Sequence, residues 1–302
     1  MRLGTRRSAL AWAQSGGIAA LLGPDVERVG IETAGDRLVD TPLTGPLVKG
    51  WFTEAIAAAL RSGAVDLAVH SLKDLPVSDE PGLVIGAVPA RGPVADVLLI
   101  RETAFDRDAP GVPLRAGAQV GMSSPRRQAA LRTLRPDCGA AFLRGNVTTR
   151  LQRLAEGRFD AIVLAEAGLV RLGAEGRPPS GVRVVRLFPG WWVPAPGQGA
   201  LAVQCRVDAD AVRSRLVGIH DPVTAAAVGA ERACLSALGG GCSIPFGAWQ
   251  SAEGWAVGLE SGGVWRVRRG PGPLVGLPEG LVDGVGAEPV PTRIWEEIDV
   301  GS

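Results

Sequence analysis

The sequence has no tyrosine, two histidines, and two lysines (Lys49 and Lys73) among its 32 lysines and arginines. The histidines, His70 and His220, stand far apart. They exclude a histidine-rich metal site and leave any Cys–His or Ser–His machinery dependent on one of the two. No apolar run is long enough to cross a bilayer, so no membrane span is expected. The four cysteines, Cys138, Cys205, Cys234 and Cys242, form no CxxC pair and no disulfide framework. Reduced thiols and a cytoplasmic protein are expected, and the strand pattern at the N-terminus, without a signal-peptide pattern, points the same way. A net charge of +1 excludes a generally basic nucleic-acid binder. The arginine excess reflects codon composition or heat adaptation, yet arginine is also the better fork for carboxylates wherever it clusters.

What is present is a chain of 302 residues with 42 glycines and 23 prolines, which suits two or three domains of short elements separated by turns. Strand and helix patterns alternate. Arg2 to Gly4 reads as a strand, and a helix pattern follows through Leu21. Val26 to Thr33 is a strand, Val48 to Leu60 a helix, and Val65 to His70 a buried strand. Leu83 to Val88 and Val97 to Ile100 are further strands. A second unit starts near Asp96, with strands at Gln119 to Met122, Ala140 to Leu143 and Phe159 to Ala165. Its helices are Pro125 to Leu134, N-capped by Ser124, and Thr148 to Ala155, with another beginning at Gly168. This βαβ order predicts an α/β fold with mainly parallel sheets and sites at the strand C-termini. The last third reads as a helix over Val223 to Leu238 and then short strands, as in a small α+β domain. The tail from Glu288 to Ser302 reads as a short capping helix or a frayed end.

Four segments carry candidate chemistry. A buried strand ends at His70-Ser71, with Lys73 and Asp74 just beyond it, where α/β sheets bind ligands; a capped turn is the plain structural alternative. In Gly121-Met-Ser-Ser-Pro-Arg-Arg-Gln128, Ser124 and the two arginines open a helix, where backbone N–H groups favour anions. Arg126 and Arg127 are slightly unfavourable for the helix itself, which argues for an anionic partner. Arg144 and Arg150 flank the next strand–helix junction and Arg171 follows the one after. Junctions at one sheet edge converge, so these arginines read as a pocket for carboxylates or phosphates. No nucleotide P-loop is present. Finally, Gly239-Gly-Gly-Cys-Ser-Ile-Pro245 places Cys242 on a flexible loop as a nucleophile, an attachment point or a small buried residue. Gln198, in a Pro/Gly-rich crossover, is assigned no chemistry.

These segments, together with Arg2-Leu-Gly-Thr-Arg-Arg-Ser-Ala-Leu-Ala, Thr33-Ala-Gly-Asp36, Asp160-Ala-Ile-Val-Leu-Ala165, Pro196-Gly-Gln-Gly-Ala200 and Glu231-Arg232, occur in family order over about the first 250 residues. The chain thereby resembles the hydroxymethylbilane synthase (porphobilinogen deaminase) family. The resemblance implies two periplasmic-binding-protein-like lobes with a cleft between them, plus a small α+β C-terminal domain. Domain 1 would span 1–94, completed by 195–216, domain 2 would span 95–194, and domain 3 would span 217–302. The resemblance implies a dipyrromethane cofactor held by Cys242 through a thioether, and Asp74 as the catalytic carboxylate. Lys73, Ser124, Arg126, Arg127 and Arg150 would bind the cofactor. Arg6, Ser8, Arg144 and Arg171 would bind the acetate and propionate groups of porphobilinogen, the small-molecule substrate. No metal, nucleic acid or membrane partner is implied, and a cytoplasmic monomer is expected.

The implied chemistry suits these residue types. Porphobilinogen loses ammonia to give an electron-poor azafulvene, which the α-carbon of the growing chain attacks. One carboxylate can accept pyrrole N–H bonds, stabilise the positive charge and assist proton movement. Each added ring brings two more carboxylates, so an arginine-lined cleft answers a growing polyanion. Two departures stand out. Lys49-Gly-Trp-Phe52 leads to Glu54 where the family carries a lysine, and Gly92-Pro-Val-Ala-Asp96 lacks an arginine of the family pattern, with Val94 in its place. A two-lobed small-anion binding protein without catalysis is the main alternative, and a cysteine hydrolase using His70 or His220 a third.

Overall fold

The computed structural model describes residues 1–33, 53–239, 244–281 and 291–299. The chain divides into two compact units, Met1–Gly92 with Gly199–Ala226, and Pro93–Gln198 with Ala227–Ser302.

The first unit is built on a five-stranded sheet in the order β2-β1-β3-β10-β4. β1 (Arg2–Arg6), β2 (Glu27–Ile31) and β3 (Leu67–Ser71) run parallel. α1 (Ala9–Leu22) and α2 (Glu54–Arg61) lie between them in sequence. β3 is buried on both faces, which is why it reads as a continuous apolar run. Leu67 and Val69 join Leu3, Ile18 and Val203 on one side, while Ala68 joins Ile56, Leu60 and Val65 on the other. In α2 the apolar residues Ile56, Ala57 and Leu60 are buried, and Glu54 and Arg61 complement the helix dipole at its two ends. The sequence reading of a helix from Val48 is met from Glu54 onward; 48–52 lie outside the described residues. β4 (Leu83–Ala87) and β10 (Leu201–Arg206) complete the sheet.

The second unit holds a six-stranded sheet in the order β14-β9-β5-β8-β6-β7. β6 (Gln119–Met122), β7 (Gly139–Phe142) and β8 (Ala161–Ala165) are parallel. They are followed in turn by α3 (Pro125–Leu134), α4 (Val147–Ala155) and α5 (Glu166–Leu172). β5 (Asp96–Arg101) runs antiparallel to β8 and to β9 (Val182–Leu187). A three-stranded antiparallel meander, β11 (Phe246–Gln250), β12 (Gly254–Ser261) and β13 (Val264–Pro271), belongs to the same unit. Its Ala256, Trp265 and Val267 share a core with Val120, Leu131 and Trp192. α6 (Asp210–Leu216) lies in the first unit, and α7 (Pro222–Ala237) takes its residues from both.

Two expectations change. The sheets are mixed rather than mainly parallel: β10 is antiparallel to β3 and β4, and β5, β9 and β14 are antiparallel to their neighbours. A parallel neighbour needs a crossover connection. β10 instead enters its sheet on a chain segment returning from the second unit. The tail is neither helical nor frayed where it is described. Trp295–Glu297 forms β14 on β9, with Trp295 buried at 1% exposure and Glu296 opposite Arg186, bonded at 2.6 Å. Among the described residues no helix is long and apolar enough to cross a membrane.

Candidate functional site

In the first unit the parallel strands bring two sequence motifs to one sheet edge. β1 and β3 are neighbours, with Leu3 beside Leu67 and Gly4 beside Ala68. Arg6 therefore ends its strand level with His70, the position just before Ser71. After β1 the chain turns into α1, where Ser8 is the N-cap and its Oγ accepts from the Ala11 N–H at 3.4 Å. After β3 a single 3₁₀ turn, Leu72–Asp74, carries Lys73 and Asp74. The Leu72 N–H donates to the Ala200 carbonyl at 3.0 Å and the Leu75 N–H to the Leu72 carbonyl at 3.2 Å, which fixes the turn. Leu72 and Leu75 are buried, Lys73 is half-buried and Asp74 is exposed. Among the described residues no group bonds the Asp74 carboxylate. Arg6, Ser8, Lys73 and Asp74, four of the residues expected to act, are thus gathered at one edge of this sheet.

His70 points away from acid–base work at neutral pH. Burial lowers its pKa from 6.5 to about 4, against an opposing hydrogen bond with Gln204. His220 has its Nδ1 engaged as the acceptor of the Val88 N–H at 3.2 Å.

In the second unit β7, β6 and β8 lie side by side and parallel, so their C-terminal ends share an edge. Ser124 follows β6 as the N-cap of α3, with Pro125 in the first turn, and its hydroxyl makes no capping bond. Arg144 follows β7. Asn146 caps α4 by accepting from the Thr149 N–H at 2.9 Å, and Arg150 turns its Nε back to the Gly145 carbonyl at 2.8 Å. Gly145 is required there: its φ is +108°, and a Cβ would meet the Thr149 side chain at 3.0 Å. Arg171 lies in the last turn of α5 rather than at the strand end, and burial lowers its pKa.

Arg126 and Arg127, read from the sequence as part of an anion pocket, find an anion within the fold itself. Both are buried, and both pair with Asp96 at the start of β5. Arg126 Nη2 donates to Asp96 Oδ2 at 2.8 Å and its Nη1 to the Val193 carbonyl at 2.7 Å. Arg127 grips Asp96 with two bonds, Nε to Oδ2 at 3.1 Å and Nη2 to Oδ1 at 2.7 Å. Trp192 Nε1 and Gln198 Nε2 reach the same carboxylate, each at 2.9 Å. Burial alone would raise the Asp96 carboxyl, but the two guanidiniums hold it well below the usual carboxylate range. The sequence reading missed this cluster. Its one signal is a lone acid opening the apolar run Val97 to Ile100. A second buried carboxylate, Glu231 of α7, accepts the Gly197 N–H at 2.7 Å and the Gln250 N–H at 2.9 Å.

Three of the four thiols are unsuited to covalent chemistry. Cys138, Cys205 and Cys234 are buried, and burial raises the pKa of each, so they stay protonated at neutral pH. Cys242 lies outside the described residues.

Each unit is thus an α/β module that collects cationic and hydroxyl donors at the C-terminal edge of its parallel strands, the arrangement of a protein that handles small anions. One unit adds an exposed carboxylate, Asp74, that is unpaired among the described residues. The model of the family "Porphobilinogen deaminase, dipyromethane cofactor binding domain" matches residues 1–214. The porphobilinogen deaminase of Syntrophobacter fumaroxidans is 45% identical over 252 residues, covering 82% of this chain and 78% of that protein. That of Acidothermus cellulolyticus is 45% identical over 256 residues, covering 82% and 74%. That of Roseiflexus castenholzii is 44% identical over 262 residues, covering 84% and 82%. The chain belongs to the porphobilinogen deaminase family, whose matched domain binds dipyrromethane.

The second unit fits such a group on its own chemistry. Ser124 offers a hydroxyl unused by its helix. Arg126 Nε is buried with no acceptor among the described residues. The Asp96 cluster sets two guanidiniums against one carboxylate, so a further anion improves its charge balance.

Proposed function

We propose that the chain acts as a hydroxymethylbilane synthase, a cytoplasmic, monomeric transferase of tetrapyrrole (haem) biosynthesis. It joins four porphobilinogen molecules, releases ammonia at each addition, and frees the linear hydroxymethylbilane by hydrolysis. The division into domains 1–94 with 195–216, 95–194 and 217–302 is part of the same reading. Dipyrromethane, when bound through Cys242, supplies the free pyrrole α-carbon to which the first substrate is joined. The observation that carries the reading is Asp74: an exposed carboxylate, unpaired among the described residues, held on a fixed turn at the sheet edge that also bears Arg6, Ser8 and Lys73, in a chain of this family.

Asp74 accepts pyrrole N–H bonds and stabilises the positive charge that passes through the rings during condensation. It also carries a proton to the leaving amine and takes one from the attacked carbon. Arg6, Ser8, Arg144 and Arg171 bind the acetate and propionate groups of the substrate. Lys73, Ser124 and Arg150 hold the carboxylates of the cofactor, with Arg126 and Arg127 behind Ser124. The exclusion of Cys138, Cys205 and Cys234 by burial supports Cys242 as the attachment point.

The test is the intact mass of the purified, denatured protein with peptide mapping, before and after incubation with porphobilinogen. A mass excess of two linked pyrroles on the peptide containing Cys242 is the expected result. A protein that stays unmodified after incubation and binds dicarboxylates reversibly would overturn the reading in favour of a simple binding protein.

A further inference from the structure

We propose that Asp96 is the positioning residue of the anion-binding face of the second unit: it sets Arg126 and Arg127 at the start of α3, and cofactor loading depends on that setting. The inference rests on the function proposed above.

α3 opens with two arginines in its first turn and no acid there, an arrangement that opposes its own dipole. The compensation comes from outside the helix, 30 residues earlier in the chain. Asp96 opens β5, the strand that pairs with β8, and is fully buried. Its two oxygens accept five hydrogen bonds. Oδ2 takes Arg126 Nη2, Arg127 Nε and Trp192 Nε1; Oδ1 takes Arg127 Nη2 and Gln198 Nε2. The donors come from α3 and from the segment Trp192–Gln198, so one carboxylate fixes both against β5. Further bonds close the arrangement: Arg127 Nη1 to the Val163 carbonyl of β8 at 2.9 Å, and Gln198 Nε2 to the Val94 carbonyl at 2.8 Å.

The geometry gives the arginines a different task from direct grasp of a ligand. Each spends its guanidinium edge on Asp96 or a backbone carbonyl, and of their nitrogens only Arg126 Nε lacks an acceptor among the described residues. What α3 then presents at its N-terminus is the Ser124 hydroxyl and the first backbone N–H groups, held rigidly by the arginines behind them. An asparagine at position 96 would offer one accepting oxygen and an N–H₂ facing donors, beside two buried like charges. A glutamate would keep the charge while shifting its place.

The experiment compares wild type, Asp96→Asn, Asp96→Glu and Trp192→Phe, each expressed and then incubated with porphobilinogen. Adduct occupancy is read by intact mass, KM and kcat on the loaded fraction, and folding by circular dichroism and thermal melting. Asp96→Asn is expected to fold but to lose occupancy about tenfold or more, a change equivalent to about 1.4 kcal/mol. Asp96→Glu is expected to recover part of that loss, which a merely structural defect in the asparagine variant would not predict. Trp192→Phe, which removes one neutral donor and keeps the charge, is expected to load and to raise KM at unchanged kcat. Asp96→Asn loading like wild type with an unchanged KM overturns the proposal. If Asp96→Asn does not fold, Trp192→Phe decides: unchanged occupancy and KM overturn it. A wild-type protein that never acquires the adduct defeats the proposed function instead, so the two failures are distinct.

Discussion

Gln14 of α1 donates its Nε2 to the Oγ of Ser71, the last residue of β3, at 2.8 Å. Gln14 is buried and Ser71 half-buried, so the bond is partly shielded from water. It couples the helix that begins at Ser8 to the strand end that leads into Leu72–Asp74. The 3₁₀ turn bearing Asp74 is thus fixed from one side by α1 and from another by the Ala200 carbonyl. An exposed carboxylate on so restrained a backbone is placed rather than loose.

Asp74→Asn therefore removes charge with little else. No hydrogen bond of the described fold depends on the Asp74 carboxylate, so its melting temperature should match wild type, with a stability change within about 0.5 kcal/mol. Turnover should fall by about 10²- to 10⁴-fold, the usual range for a lost proton-transfer group. Cofactor occupancy should be retained. Steady-state product formation and intact mass on the same preparation check this, and normal turnover would remove Asp74 from its role.

The thiols give a contrast of four variants. Cys242→Ser should carry no pyrrole adduct after incubation with porphobilinogen. Cys138→Ser, Cys205→Ser and Cys234→Ser should all carry it, because their native thiols are buried and protonated. Peptide mass mapping reads the result directly. An adduct on the Cys242→Ser protein would show another attachment site.

Glu231→Ala should be costly without touching any ligand. It deprives the Gly197 N–H, which is buried, and the Gln250 N–H, which is part-buried, of their acceptor. Each orphaned donor costs about 1–3 kcal/mol, so a loss of about 2–6 kcal/mol is expected in urea unfolding monitored by tryptophan fluorescence. Glu231→Gln keeps one acceptor and should lose less.

These cases show which features were legible in the residues alone. Strand ends were readable because apolar runs such as Val65 to His70 stop at short polar motifs, and parallel βα units bring those motifs to one edge. Arg6, Ser8, Lys73 and Asp74 fell together for that reason. Pairing direction was not readable, because periodicity is the same in parallel and antiparallel strands; β10 and β5 illustrate it. The inward turn of Arg126 and Arg127 was hidden because their acceptor, Asp96, is distant in sequence and reaches them only through the order of β5, β8 and β6 in the sheet. Arg171 was placed at a junction by counting residues, whereas α5 carries it a full helix length beyond the strand end. The tail defeated the reading because Trp295 and the charges of Glu296 and Glu297 gain their meaning only against Leu187, Arg186 and Arg183 of β9.

The stability of the fold should depend on pH through His70. In the folded protein burial depresses its pKa from 6.5 to about 4, so the fold favours the neutral ring. Above pH 6.5 both folded and unfolded states are neutral and the residue adds no pH dependence. As pH falls from 6.5 to 4 the unfolded state takes up a proton that the folded state refuses, and stability is lost across that window. Below pH 4 both are protonated and the loss levels off at roughly 3 kcal/mol, from about 1.4 kcal/mol per pKa unit. Urea unfolding at a series of pH values, for wild type and for His70→Gln, isolates the effect: the variant should lack the component lost between pH 6.5 and 4. Parallel curves for the two proteins would mean that the ring is hydrated in solution and titrates near its ordinary value.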